Sequence, residues 1–270
     1  MSCLLTEVID DNILLVKLNR PESLNALAPE LVIELVQLFR ELNNNRQVRS
    51  VIITGQGAGF CAGADLKQNS GPGTIPGTEG MGQVGYVYKH QELLAECMLA
   101  IHECDKPIIA AVNGAAVGGG LAIALAADLR VASAKARFGA VFIKVGLSAC
   151  DVGVSYFLPR LIHPTKAAEL MLSGRIFDAQ EAESLGLLNA LVEPEQLLEN
   201  AVELARSINA NNEYGVWMTK KGFRSSLDAP SLRHVMEMEN RTQVLGYFSG
   251  NMEEAKAAFI EKRPPKWKSL

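Results

Sequence analysis

The sequence predicts an α/β core followed by a helical C-terminal region. Three observations carry this. Short apolar runs of strand length alternate with segments of helical period through the first half. The strand–helix–strand order calls for crossover connections. After Leu161 the texture becomes helical.

Element by element, Ile13-Leu14-Leu15-Val16-Lys17-Leu18 has strand length and closes on the turn residues Asn19-Arg20-Pro21-Glu22-Ser23. From Pro29, residues Leu31, Leu35, Leu38 and Leu42 recur on one face with Val32 and Phe39, while Glu34, Gln37, Arg40 and Glu41 fill the other. That is a helix with proline in its first turn, ended by Asn43-Asn44-Asn45. Val51-Ile52-Ile53-Thr54 reads as a buried strand, followed by a glycine-interrupted loop over 55–63. Residues 67–85 hold Gly71, Gly73, Gly77, Gly80, Gly82 and Gly85 with Pro72 and Pro76, a flexible, lid-like segment too long for a mere connector. A helix over 86–104, a strand over 107–112, a glycine cluster, a helix over 119–127 and a strand over 129–132 follow. Helices are expected at 165–172, 179–185, 194–208, 213–226 and 232–248. No low-complexity linker divides the chain, so 1–200 reads as the core and 201–270 as a helical region of the same unit.

Composition narrows the function classes. With 48% hydrophobic and 21% charged residues the chain is far from a disordered composition, and its net charge of −4 supplies no global basic field for nucleic acid or an anionic membrane. The N-terminus lacks the basic region of a secretory signal, and five scattered cysteines without a CxxC pair fit a reduced, cytoplasmic protein. The apolar stretch 108–127 owes its apolarity to Ala and Gly, and Gly114, Gly118, Gly119 and Gly120 interrupt it, which argues against a membrane span. The histidines His90, His102, His163 and His234 are isolated and show no metal-ligand spacing, so they read as surface or packing residues.

Two loops of small residues follow predicted strands: Gly59-Phe60-Cys61-Ala62-Gly63-Ala64-Asp65-Leu66 and Val112-Asn113-Gly114-Ala115-Ala116-Val117-Gly118-Gly119-Gly120. Such residues offer a ligand mainly backbone N–H groups, and the second loop runs into a helix whose first amides are unpaired. Tight strand–helix packing asks for the same small residues, so the pattern alone leaves anion site and packing both open. Neither loop matches a dinucleotide fingerprint or a P-loop.

Asn19-Arg20-Pro21 with Leu24-Asn25-Ala26-Leu27, then Phe60-Cys61-Ala62-Gly63-Ala64-Asp65-Leu66, then Lys106-Pro107-Ile108-Ile109-Ala110-Ala111-Val112-Asn113-Gly114 with Gly118-Gly119-Gly120, together resemble the crotonase (enoyl-CoA hydratase/isomerase) superfamily. The likeness continues through Phe138-Gly139, Leu172-Ser173-Gly174, Asp178-Ala179, Leu185-Gly186-Leu187 and Phe259-Ile260-Glu261-Lys262-Arg263. It implies a spiral of ββα repeats with a helical C-terminal trimerisation region, assembled as a homotrimer or dimer of trimers. The substrate implied is an acyl-CoA thioester, with coenzyme A as part of the substrate and no permanent cofactor, metal, nucleic acid or membrane partner. The resemblance assigns the thioester oxygen to the backbone amides of Ala64 and Gly119, and the coenzyme site to Ser23, Leu24, Ala62, Asp65 and Leu66. Local cations such as Arg20, Lys67 and Lys262 of a neighbouring subunit would serve the polyanionic end. Asp65 reads equally well as a loop-capping residue.

Hydratases of the family use two glutamates; the matching positions here hold Ala122 and Phe142, neither able to transfer a proton. A naphthoate-synthase-like reading has Lys144-Val145-Gly146 and Tyr156, but its Ser-Phe-Asp falls on Leu147-Ser148-Ala149. Residues 145–153 resemble the GLAADVG segment of dienoyl-CoA isomerases with one extra residue. Asp151, the one acidic residue between Leu129 and His163, is the candidate acid or base, and it would equally serve as N-cap of the helix through Tyr156 and Phe157. The expectation is double-bond isomerisation of an enoyl-CoA. The alternatives are a hydratase or acyl-CoA hydrolase with an acid from the lid segment, and a silent acyl-CoA-binding protein.

Overall fold

The computed structural model describes residues 2–10, 12–67 and 71–269. The apolar run Ile13–Leu18 is strand β2, paired antiparallel with β1 (Leu4–Ile9) and parallel with β3 (Ser50–Gly55). The order β1-β2-β3-β4-β6-β9 is completed by β4 (Ile108–Val112), β6 (Leu129–Ser133) and β9 (Ala190–Val192), all parallel after the first pair. Every residue of β4 is buried, as expected of a strand covered on both faces. A smaller sheet holds β5 (Ala115–Val117), β7 (Arg137–Gly139) and β8 (Phe177–Asp178).

From β3 on, three successive turns of the chain each set a strand in the large sheet, a second in or against the small one, and then a helix. β3, the bridge Cys61–Ala116 and α2 (Gln83–Glu103) form one such turn. β4, β5 and α3 (Gly119–Ala126) form the next, and β6, β7 and α4 (Val154–Leu161) a third. This is the spiral of ββα repeats the resemblance implies. Helix α1 (Pro29–Leu42) has proline at its first position and buries Leu31, Val32, Leu35, Phe39 and Leu42 as its period predicts. The stretch 108–127 is β4, β5 and α3, and no helix among the described residues is long and apolar enough to cross a membrane.

The core lies on both faces of the large sheet. On one face α1, α2 and α3 close over Val51, Ile53, Ala110 and Val112. On the other, α7 (Leu197–Asn209) lays Leu197, Ala201 and Ala205 on Ile13, Ile52, Ile109 and Val131. The boundary expected at residue 200 falls inside α7, which packs on the sheet. Helices α5 (Pro164–Ser173) and α6 (Ala179–Ser184) flank the small sheet, while α8 (Glu213–Leu227), α9 (Leu232–Phe248) and α10 (Asn251–Glu261) form the C-terminal region.

The glycine-rich segment differs from the open lid expected of it. Residues 68–70 of that expectation lie outside the described residues. From Gly71 the chain makes successive turns, with Thr74 N–H donating to the Gly71 carbonyl, Thr78 to Ile75 and Met81 to Thr78. Gly73, Gly77 and Gly80 adopt positive φ, which lets the turns follow one another, and the Ile75 and Thr78 side chains are buried. Helix α2 therefore begins at Gln83, inside the segment read as loop.

Candidate active site

The loop after β3 is tied to residues 24–27. Ala62 N–H donates to Leu24 (3.0 Å), Leu27 N–H to Gly63 (2.7 Å) and Asp65 N–H to Leu27 (3.3 Å). These bonds use the Gly63 carbonyl and the Asp65 amide, on either side of Ala64, and leave its own N–H turned the other way, as a parallel bridge requires. The second loop is bridged to the first through Cys61 N–H to Ala115 (2.8 Å) and Val117 N–H to Cys61 (3.1 Å). Helix α3 then begins at Gly119, and Ala122, donating to Gly118 (3.1 Å), makes its first helical bond. Among the described residues, neither the Ala64 nor the Gly119 amide has an acceptor.

Packing brings the two loops together. A Cβ on Gly63 would stand 2.8 Å from the Val117 carbonyl oxygen and 3.2 Å from the Gly119 nitrogen, and one on Gly120 would stand 2.0 Å from the Cys61 oxygen. Gly118, at φ 55 and ψ −122, holds a conformation that side-chain-bearing residues avoid. Close packing demands the small residues and, in doing so, leaves two unpaired amides on neighbouring loops. Such a pair can hold a carbonyl oxygen that gains negative charge.

Asp65 caps its loop as the second reading had it. Its Oδ2 pairs with Arg20 Nη2 at 2.9 Å and its Oδ1 accepts the Lys67 amide at 3.1 Å. Arg20, expected as a local cation for a polyanionic ligand, also donates to Asp65 and the Ala26 carbonyl. Ser23 Oγ donates to the Arg20 carbonyl, Leu24 and Leu66 expose their side chains, Ala62 is half-buried and Lys67 is exposed. Lys262 caps α10 with φ 54, on the C-terminal helices. Asn25 escaped the sequence reading. Fully buried at φ 58, it accepts the Arg20 amide and donates to the Gln56 and Gly59 carbonyls, tying the chain after β2 to the start of the first loop. A polar residue between turn residues and the apolar Ala26-Leu27 was the available signal.

The segment after β7 brings Asp151 toward α2. Val141 and Phe142 pack beside Gly118, within 3.8–3.9 Å of where its Cβ would lie. Asp151 is half-buried, its Oδ1 accepting the Val152 amide at 2.8 Å and the side-chain amide of Gln91 on α2. Its Oδ2 has no partner among the described residues. The N-cap reading is not realised: α4 is capped by Gly153, and Asp151 contributes only its main-chain oxygen, to Val154. Val152, β-branched, sits at φ 39, a strained conformation that turns its N–H onto the carboxylate. Ala122 and Phe142, at the positions the resemblance gives to glutamates, are both buried.

Other candidates are engaged elsewhere. The Tyr156 hydroxyl donates to Asp228, which pushes its pKa up, with Arg160 over the ring at 3.7 Å. Burial pushes the Cys61 thiol up to about 12, the setting of an inert core thiol. Tyr86 is buried, whereas Tyr88 and Glu79 are exposed. His163 caps α5, and His102 packs on Phe157. No cluster of three or more potential metal ligands occurs among the described residues.

The chain matches the enoyl-CoA hydratase/isomerase family model over residues 8–270. It is 41% identical over 251 residues to a probable enoyl-CoA hydratase, echA12, of Mycobacterium leprae, covering 93% of this chain and 84% of that one. Among solved structures it resembles a probable enoyl-CoA hydratase/isomerase of Mycobacterium abscessus at TM-score 0.92 and 41% identity, with 99% of each chain covered. It also resembles a monofunctional enoyl-CoA isomerase of M. smegmatis at TM-score 0.74 and 37% identity, covering 87% of this chain and 99% of that one. With the spiral of ββα turns and the paired loop amides, these matches place the chain in the enoyl-CoA hydratase/isomerase family, the crotonase superfamily.

Proposed function

We propose that this enzyme isomerises the double bond of an enoyl-CoA thioester. The Ala64 and Gly119 amides receive the thioester oxygen, and Asp151 moves the proton. Starting from a 3-enoyl-CoA, the C2–H bond breaks, its proton passes to Asp151 and its electron pair forms the enolate. Return of that proton to C4 shifts the double bond from C3=C4 to C2=C3, so one carboxylate is left as it began. Donors aimed at the oxygen bind the enolate more tightly than the ground-state thioester, which is what lowers the barrier.

The observation that carries this reading is the single carboxylate at the turn: Asp151 has one oxygen held and the other unpartnered, while buried Ala122 and Phe142 stand where hydration would need acids. Coenzyme A enters as part of the substrate, past Ser23, Leu24, Ala62, Asp65 and Leu66, with Lys262 supplied by a neighbouring subunit of a trimer or dimer of trimers. The exposed apolar residues of α9, Leu232, Val244, Leu245 and Phe248 among them, support such an assembly. The hydratase names of the relatives favour water addition as the second reading.

Product mass separates these. Offered trans-3-hexenoyl-CoA and trans-2-hexenoyl-CoA, the enzyme is expected to interconvert them without change of mass, whereas a gain of water indicates a hydratase and free coenzyme A a hydrolase. Asp151→Asn should keep coenzyme A affinity and lose roughly 100-fold or more in turnover. Near-normal turnover would remove Asp151 from the mechanism.

A further inference from the structure

The structure assigns Gln91 as a positioning residue: with the Val152 amide it holds Oδ1 of Asp151, so that Oδ2 is the oxygen that meets the substrate proton. The inference rests on the proton transfer proposed for Asp151 and adds the group that aims it.

The two donors to Oδ1 come from different elements. Val152 N–H is local and held by a strained turn, whereas Gln91 reaches across from α2, 60 residues earlier in the chain. One donor would let the carboxylate plane swing about that contact; two, from separate directions, define it. Both bonds fall on the same oxygen, and Oδ2 keeps its lone pairs. The chemistry of the donor matters as much as its place. A lysine or arginine there would form an ion pair and weaken the carboxylate as a base, while a neutral amide fixes its orientation without cancelling its charge.

The start of α2, which carries Gln91, is tied to the glycine-rich segment. The buried Tyr86 hydroxyl meets Thr74 Oγ1 at 3.0 Å, and His90 stacks on the Tyr86 ring with centroids 6.1 Å apart and planes 6° from parallel. Gln91 is the next residue on α2. Its side chain is exposed apart from this bond, so a long rotamer-rich residue is held in one geometry with little packing to gain from it. Proton transfer from carbon tolerates little misalignment, and an error of about 1 Å costs roughly 100-fold.

The test uses the full-length enzyme with trans-3-hexenoyl-CoA, following turnover and deuterium uptake from solvent, in Gln91→Leu, Gln91→Glu, Asp151→Asn and the Gln91→Leu/Asp151→Asn double variant. Gln91→Leu is expected to lower kcat roughly 10- to 100-fold with KM and Tm unchanged. Gln91→Glu, which sets a like charge against Asp151, should lose at least as much. In the Asp151→Asn background, Gln91→Leu should cost nothing further. The inference is overturned if Asp151→Asn loses activity while Gln91→Leu stays within about twofold of the parent, or if the two losses multiply, as a merely structural role would make them. A parent that does not isomerise this substrate, or an active Asp151→Asn, overturns the isomerase reading instead and takes the role of Gln91 with it.

Discussion

The paired loops and the C-terminal helices build structure by opposite means. Around Ala64 and Gly119, backbone meets backbone: Gly63, Gly118 and Gly120 stand where any Cβ would strike a neighbouring main chain or force a conformation only glycine adopts, and α3 behind them is buried along its whole length. Helix α9 buries no residue within the single chain, and Leu232, Met236, Val244, Leu245 and Phe248 are exposed. The first region is specified atom by atom inside one chain; the second is left, within that chain, as an exposed apolar surface. The role proposed for the Ala64 and Gly119 amides needs the first kind of precision, because such donors have no side chain to adjust.

Substitution in the loops should therefore be severe. Gly120→Ala sets a methyl 2.0 Å from the Cys61 carbonyl oxygen, a contact that only main-chain displacement relieves. We expect a loss of more than about 4 kcal/mol, read by denaturant unfolding, with little folded protein recovered; a chain of parental stability would show that the loops do not make this contact. Asn25→Ala comes next. It leaves the Gln56 and Gly59 carbonyls and the Arg20 amide without the fully buried side chain that serves all three, and asks a non-glycine residue to keep φ 58 without its hydrogen bonds. The expected cost is about 2–4 kcal/mol, with turnover falling more than stability because the displaced loop carries the Ala64 amide.

The same contrast decides what could be read in the sequence. Patterns that repeat were legible: the apolar face of α1, the runs that became β2, β3 and β4, and the small-residue loops that packing requires. Strands of two or three residues such as β5, β7, β8 and β9 are too short to show a period, and β1 exposes most of its side chains at the sheet edge. At the candidate site, the resemblance points to Ala64, Gly119 and Asp151. Gln91 and Asn25 were not legible, because each acts on groups tens of residues away, and nothing local distinguishes a glutamine that reaches a carboxylate from one that faces solvent. The Arg20–Asp65 pair is hidden for the same reason: its members lie 45 residues apart.

A cavity of about 740 Å³ lies at the junction of α3, α4, α7 and α8, with His102 of α2 on its wall. Burial lowers the His102 pKa, and nearby Arg224 pushes it the same way. The unfolded chain thus binds this proton at a pH where the folded one does not, and stability must fall as pH drops through the ordinary imidazole value of about 6.5. His90, lowered by burial alone, adds to the same slope. Tm followed from pH 8 to pH 5 should decline, and His102→Phe, which keeps a ring against Phe157, should decline less. Equal slopes would show that the junction is wetter than its packing implies.

The smallest expected effect sharpens the contrast most. Gly222, in the middle of α8, has no heavy atom within 4 Å of where its Cβ would lie and faces a cavity of about 970 Å³ between α8 and the last two helices. It has ordinary helical φ, so alanine removes only the entropic cost of glycine and should raise stability by about 0.5–1 kcal/mol. The same one-methyl change that is ruinous at Gly120 is then favourable here. Measured on the dilute protein and again where it is fully assembled, Gly222→Ala also reports what fills that cavity. A gain at every concentration means that α8 keeps its space in the assembly. A gain that turns into a loss as subunits associate means that a neighbouring chain packs against Gly222, and that the C-terminal helices are specified as closely as the loops, but only between copies.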